Sequence, residues 1–570
     1  MEGLEITVLL GLTILVGTLL APRLRLALPL VLVVLGLLLG FVPALRQVQL
    51  PPETVLLLFL PVMLFWESLT TSLRSIRRDV RHILPMSTLL VVASAFAVAG
   101  AAVLLGLPWE IGLILGAAVA PPDATAVAAL GRLLPHRMFM KLKAESLTND
   151  GTALVLYAIA VTVATGGRIT PWSVTGTVIV SYLGGIAAGA AVAGAAAMAL
   201  RRIRSTLAIN LTLLLVPFAA FLVAELVHAS GVLAVVVAGL VVAYVLPQIT
   251  TAASRRQADA AWPFGVFLLN GALFVLIGLE VQYVVHEVPF ARIGRLALVT
   301  LAVWATLFVV RYLFQWLSVP FLRSGGPRPA TGVRGRARLV STVAGMRGAV
   351  SLAIALSVPL TTSDGAALTG REDVIVVTAG VILLSLLVQG PLLPAVVRWA
   401  RLPVDHTEDE EYELAERTIS GAALTALDDL AREHGVSDEV RDRIRFEGYQ
   451  MLELANARTM AREQALIDAE AEALDVLLDE PDPLAASTGA AVEATPLQMI
   501  ASSTDVDLRQ RSPILRHEEH TRLKLAMLDR KREVLRGLRR AGTVDDLVVR
   551  RVSARLDLEE VRLRGVEELA

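Results

Sequence analysis

Thirteen mostly apolar stretches follow one another from the N-terminus to about residue 400. Each is close to the roughly 20 residues that an α-helix needs to cross a bilayer. They fall at about 5–21, 26–43, 54–73, 83–105, 110–131, 142–164, 173–199, 206–227, 230–248, 261–281, 293–320, 339–360 and 373–397. Beyond that point the apolar positions recur at helical spacing among many charges, at 408–434, 438–479, 513–541 and 544–565. The low-complexity run Ala485 to Pro496 reads as a linker. The pattern predicts an all-α polytopic membrane protein, with a transmembrane domain over 1–400 and a helical tail over 401–570.

Charge between the stretches sets the orientation. Odd-numbered connections hold 20 basic residues, among them Arg74, Arg77, Arg78, Arg81, Arg137, Lys141 and Lys143; even-numbered ones hold five. This bias places the N-terminus outside and the tail in the cytoplasm. The opening Met1-Glu2-Gly3-Leu4-Glu5 lacks the basic segment of a cleavable signal, so the first stretch is expected to be retained as a span. The chain ends without a lipidation motif.

Composition agrees and narrows the chemistry. The 570 residues are 55% hydrophobic and 18% charged, with a mean hydropathy of +0.64. The net charge of −1 conceals an asymmetry, since only 16 of the 53 acidic residues precede residue 404. Cysteine is absent, which excludes disulfides, thiolate metal sites and cysteine nucleophiles. No phosphate-binding GxxxxGK[ST] loop occurs, so nothing supports transport driven by ATP.

Against this background, charge inside a span marks a functional site. Glu67, Asp123, Asp150 and Arg347 each lie seven or eight residues from the cytoplasmic end of their span, about 10–12 Å deep at 1.5 Å per residue. Asp123 follows Pro121 and Pro122, which lack N–H groups and free carbonyls near Ala117 and Ala118. Freed carbonyls are cation ligands. On the sixth span, i,i+4 spacing sets Glu145 with Asn149 and Ser146 with Asp150. A carboxylate beside a hydroxyl is a hard oxygen site for a small cation, and it also takes a proton. Glu67 either reaches the cation through a water or bonds a neighbouring helix. Arg347 requires a partner, and Glu145 is the one expected, holding spans six and twelve together. Arg311 is a further internal cation whose partner the sequence does not name. His82 and His228 fall at span edges. The basic run around Arg530, Lys531, Arg532 and Arg536 to Arg540 either meets anionic lipid or pairs with the tail's own acidic helices.

These residues resemble the bacterial sodium/proton exchangers of the monovalent cation:proton antiporter family, electroneutral branch. The interrupted span with Asp123, Glu145-Ser146-x-x-Asn149-Asp150 and Gly345-x-Arg347-Gly348-Ala349-Val350-Ser351-Leu352 match its motifs in order. Ala224-Glu225, Ser230 to Ala234 and Gly239 also match, as does the tail segment Leu556 to Glu560. The resemblance implies inverted repeats and crossed broken helices, with the break at Asp123 meeting one near Gly345. It implies a homodimer in the bacterial plasma membrane, without cofactor, transition metal or nucleic acid, exchanging cytoplasmic Na⁺ or Li⁺ for external H⁺. It makes Asp150 the exchanging carboxylate. Asp123, Ser146 and the Pro122 carbonyl become ion ligands, Glu67 a ligand through water, and Glu145–Arg347 a stabilising pair. The Asn149-Asp150 pair is associated with one cation per proton. Where the family often has Thr-Asp-Pro, this chain has Pro122-Asp123-Ala124, a carbonyl in place of a hydroxyl. That leaves Na⁺ and K⁺ both open. Outside this class stand a cation channel or sensor, and an intramembrane aspartyl protease using Asp123 and Asp150. The protease reading gives Ser146, Asn149 and Arg347 no task.

Overall fold

In the computed structural model the described residues are 2–24, 26–41, 55–123, 127, 134–167, 170–287, 290–318, 331–362, 365–402, 407–453, 456, 457, 460, 464 and 513–564. The chain forms two units, Met1–His406 and Thr407–Leu569, and both are helical.

The first unit opens with α1 (Glu2–Leu24), α2 (Leu28–Leu39) and α3 (Leu60–Leu69), the last entered through a π-turn at Val55–Phe59. Next come α4 (Leu73–Ser87), α5 (Leu89–Leu104), α6 (Trp109–Val119) and α7 (His136–Ala164). Then α8 (Pro171–Ile179) runs through a π-turn into α9 (Gly185–Leu200), followed by α10 (Thr206–Leu226), α11 (Gly231–Ile249), α12 (Ala252–Glu287) and α13 (Phe290–Ser318). Two short pieces, α14 (Thr331–Val343) and α15 (Ala349–Leu356), precede α16 (Arg371–Leu384) and α17 (Gly390–Ala400), which a third π-turn joins.

Every one of the thirteen predicted stretches meets a helix. Among the described residues nine helical segments are long and apolar enough to cross a membrane; Leu28–Leu39, Leu57–Leu69 and Trp109–Val119 are shorter. The remaining stretch is the divided pair α14 and α15. Boundaries differ where charge continues a helix beyond its apolar window. The fourth segment begins at Leu73 rather than 83, because α4 is amphipathic and Ser72 caps it by accepting from the Ser75 N–H. The turn between α10 and α11 is short and closed by Ser230, whose side chain accepts from the Leu233 N–H.

Packing groups the helices. One apolar cluster gathers Leu64, Phe65 and Leu69 of α3 with α9, α10 and α11, and with Trp262 of α12. A second joins α5, α6, α13, α15 and α16. A third joins α1, α2 and α12 with the segment from α14 to α17. Within groups the backbones approach closely, as small residues permit in membrane bundles. Gly239 of α11 lies against Phe65 and Ser68 of α3, and Gly116 of α6 against Ala95 of α5. Large apolar side chains such as Leu104, Leu207, Leu222 and Trp172 point outward, which suits a hydrocarbon surround.

The second unit contains α18 (Thr407–Thr425), α19 (Leu427–Glu433), α20 (438–453), α21 (Pro513–Ala541) and α22 (Asp546–Arg564). Ile419, Leu528, Leu535, Val548 and Val552 form one core cluster; Leu427, Val440, Ile444 and Leu523 form another. The basic run of α21 pairs within the tail. Arg532 reaches Asp557 at 2.7 Å and Glu560 at 2.5 Å, and Arg539 reaches Asp546 at 2.7 Å. The predicted linker at 485–496 lies outside the described residues.

Candidate cation site

Two interrupted helices meet at the centre of the first unit. The first, α6, stops at Val119 because Pro121 and Pro122 cannot donate to the preceding turn. The second is the pair α14 and α15, whose backbone leaves the helix between Val343 and Ala349. They are joined directly: the Asp123 backbone N–H donates to the Met346 carbonyl at 2.8 Å. Gly348 caps α15 with an extended backbone, φ −140° and ψ −156°. A side chain there would occupy the position of the Asp123 carboxylate. The missing Cβ lets that carboxylate stand at the N-terminus of α15, where the helix dipole favours negative charge.

Arg347 acts as the clamp of this crossing. Its Nε donates to the Val119 carbonyl at 2.7 Å, its Nη2 to the Ala120 carbonyl at 3.3 Å and its Nη1 to the Gly345 carbonyl. The side chain is buried. The carbonyls taken up are thus those of Val119 and Ala120, two residues beyond the expected Ala117 and Ala118.

The expected Glu145–Arg347 pair is not formed. Glu145 pairs with Arg311 instead, Nη1 to Oε1 at 2.6 Å and Nη2 to Oε2 at 3.0 Å. Arg311 also donates from Nε to the Ser341 carbonyl at 3.1 Å, and both residues are buried. The physical reason lies in the backbone. Each helix break releases carbonyls that need donors, and the Arg347 fork is consumed by three of them. The Arg311 fork, arriving from α13, presents its two terminal nitrogens to a carboxylate in the parallel geometry that guanidinium favours.

The site carboxylates come from three helices. Asp150 and Ser146 lie one turn apart on α7, Asp123 at the α6 break and Glu67 on α3. Asp123, Ser146 and Asp150 are buried and Glu67 is half-buried. The charge of Asp150 is within range of both Asp123 and Glu67, and those two also act on each other. Among the described residues these carboxylates influence one another's charge without forming a group of three close enough to hold a metal ion. Asn149 is fully buried and donates from Nδ2 to the Pro122 carbonyl at 3.1 Å. That bond ties α7 to the break and uses one face of an oxygen expected to serve the ion. Its own Oδ1 has no hydrogen-bond partner among the described residues.

Three participants were not assigned in the sequence: the Met346 carbonyl, the absent side chain of Gly348, and Lys143. The last donates from Nζ to the Thr70 hydroxyl at 2.6 Å and to the Thr70 carbonyl at 3.2 Å. Glycine on either side of Arg347, in a stretch too polar to be a plain span, was the available signal for the first two.

A family described as sodium/hydrogen exchanger, transmembrane, matches residues 11–399. The chain is 38% identical over 567 residues to an uncharacterized Na⁺/H⁺ exchanger of Mycobacterium tuberculosis, covering 98% of this chain and 96% of that one. The chain belongs to the sodium/hydrogen exchanger family. It is 30% identical to the Na⁺/H⁺ antiporter ApNhaP of Aphanothece halophytica, across 67% of this chain and 71% of that protein. In fold it is similar to the sodium proton antiporter MjNhaP1 of Methanocaldococcus jannaschii, with a TM-score of 0.52 at 20% identity, covering 70% of this chain and 99% of that one. The family match spans the unit that holds the crossed breaks, and the mycobacterial exchanger aligns through the tail as well.

Proposed function

We propose that this exchanger moves Na⁺ out of the cytoplasm against inward H⁺, one for one, by alternating access around Asp150. The observation that carries the reading is the buried Asp123 carboxylate held between the two crossed breaks, against Gly348 at the head of α15, with Arg311 and Arg347 bonded to other groups. Like charges brought together at membrane depth favour capture of a cation or a proton. Asp123, Asp150, Ser146 and the Pro122 carbonyl offer hard oxygens, and Glu67 completes the set through a water. Asp150 holds either ion but not both. One charge therefore crosses in each direction and the cycle is electroneutral. Asn149 and Arg347 hold the frame, and Glu145 does so through Arg311.

The uneven basic residues support an outside N-terminus and a cytoplasmic tail in a bacterial plasma membrane, and the resemblance supports a homodimer. K⁺/H⁺ exchange on the same mechanism is the second reading. It is favoured by the carbonyl that replaces the familiar hydroxyl before Asp123 and by a 28% identical relative of Bacillus pumilus named as a sodium, potassium, lithium and rubidium/H⁺ antiporter. The test is cation-evoked proton movement in proteoliposomes, with Na⁺, Li⁺ and K⁺ supplied separately and the membrane potential clamped. Movement with Na⁺ and Li⁺ that ignores an imposed potential and vanishes in Asp150→Asn supports the first reading. Movement with K⁺ supports the second. Ion flux without protons makes the chain a channel, and binding without flux makes it a sensor.

A further inference from the structure

Three elements close on a small cavity beside the crossing: α13, the stretch that leads out of α14, and the π-turn between α16 and α17. Trp304 and Arg311 line it from α13, Gly345 and Arg347 from the break, and Ser385 and Gln389 from the two ends of the π-turn. Asp123, Ser146 and Asp150 do not line it, so it is not the cation site. A π-turn inside a helix is rare and is frequently found at a functional position.

Two of the lining residues carry a polar atom without a counterpart. The Trp304 indole Nε1 and the Gln389 Oε1 are buried, and neither has a hydrogen-bond partner among the described residues. Gln389 and Ser385 are buried as whole residues. Lipid offers such groups no hydrogen bond, so they have to be met from inside the protein. Their needs are opposite. The indole N–H is a donor and requires an acceptor; the amide oxygen requires a donor. Arg311 and Arg347 each carry five N–H groups, and the bonds described above engage three on each side chain.

Size and charge narrow what could satisfy both atoms. The cavity measures about 10 Å³, the room that one water needs. A cation there would meet two guanidiniums and no carboxylate. An anion would face the Gln389 oxygen, and a halide is larger than a water. A water both accepts and donates. We propose that this cavity binds one resident water, which accepts from Trp304 Nε1 and donates to Gln389 Oε1. Its second lone pair takes one of the remaining N–H groups of the two arginines. The water thereby ties α13 and the π-turn to the clamp on the crossed breaks. The inference does not depend on which ion the chain exchanges.

A map of the full chain in lipid nanodiscs, at a resolution that shows its other buried waters, tests the site directly. A peak within about 2.7–3.2 Å of both Trp304 Nε1 and Gln389 Oε1 is expected. No peak there, or one that touches the arginines alone, would overturn the assignment. Thermal unfolding gives a second test, through its sign. Gln389→Met nearly keeps the shape of the side chain and removes its oxygen. With the water bound, the thermal midpoint should fall by about 1–4 °C, because the water loses the acceptor for its proton. A raised or unchanged midpoint is the result for an oxygen that had no partner to lose, and it would refute the site. Trp304→Phe removes the indole N–H and part of the ring. The double variant should lose less than the sum of the two, since both act through one water. Strictly additive losses would show that no water bridges them. Should Gln389→Met not fold, the map of the unmodified chain still decides.

Discussion

Arg311 holds Glu145 with both terminal nitrogens, at 2.6 and 3.0 Å, across 166 residues of chain. The contact fastens α13 to α7 little more than one turn before Asp150, and both partners are buried. Its removal should be felt mainly as lost stability. Breaking a buried pair from one side leaves an uncompensated charge, at a cost of about 3–5 kcal/mol. Arg311→Met and Glu145→Leu should therefore each lower the thermal midpoint markedly, and the double variant should lose less than the sum of the two. Additive losses in thermal unfolding would show that the pair does not act as a unit.

Arg347 predicts a different pattern. Its partners are carbonyls, so a point charge does not substitute for the fork. Arg347→Lys and Arg347→Ala should both destabilise the protein, by about 1–3 kcal/mol for each buried carbonyl left unmet. Thermal unfolding of the two variants side by side decides. Full stability in Arg347→Lys would mean that charge, rather than geometry, is what the crossing needs.

Asp150→Asn keeps the shape of the side chain and removes the carboxylate proposed to exchange a cation for a proton. Cation-evoked proton movement should fall to background in proteoliposomes, with the thermal midpoint kept or raised because a buried charge is gone. Residual exchange would remove Asp150 from the cycle.

Gly348→Ala tests the carboxylate at the head of α15. The added methyl would displace the Asp123 side chain, and exchange should drop at least about tenfold, equivalent to about 1.4 kcal/mol in the barrier. An unaltered Na⁺ KM and kcat would show that the position of Asp123 is not critical.

The tail carries a pH prediction of its own. Burial holds the His520 imidazole below its usual range, and the nearby Lys524 adds to this while Glu447 opposes it. Arg443 and His517 also act against protonation. A histidine that prefers to be neutral when folded stabilises the fold above its ordinary pKa of 6.5, and that contribution is lost as pH falls below it. Amide exchange in α20 and α21 should therefore quicken severalfold between about pH 7.5 and 5.5, once corrected for intrinsic rates. His520→Gln should abolish the difference, and an equal response in that variant would locate the sensitivity elsewhere.

The helical frame could be read from the chain because membrane spans advertise themselves by length and apolarity, and charges inside them stand out. That is how Glu67, Asp123, Glu145, Asp150, Arg311 and Arg347 were all visible before any coordinates. The pairing of the arginines was not. It depends on which carbonyls each break releases, and a carbonyl has no signature in a sequence because every residue has one. Counting the acceptors freed at two breaks, rather than the carboxylates nearby, would have sent Arg347 to the backbone and left Glu145 for Arg311. Lys143 escaped notice for a related reason. It read as one of many basic residues flanking a span, and only the fold brings it to the end of α3.

The clamp on the crossed breaks has a consequence for how the chain is made. Arg347 reaches back 228 residues to the Val119 carbonyl. At ordinary rates of synthesis that interval is on the order of ten to forty-five seconds. Throughout it, a proline-broken helix with open carbonyls, and the carboxylates beside it, have already emerged without the guanidinium that will close them. Until the second half arrives, those carbonyls must be satisfied by water or by another donor. Chains stalled or truncated before span twelve would therefore be substrates for membrane quality control rather than half-formed exchangers.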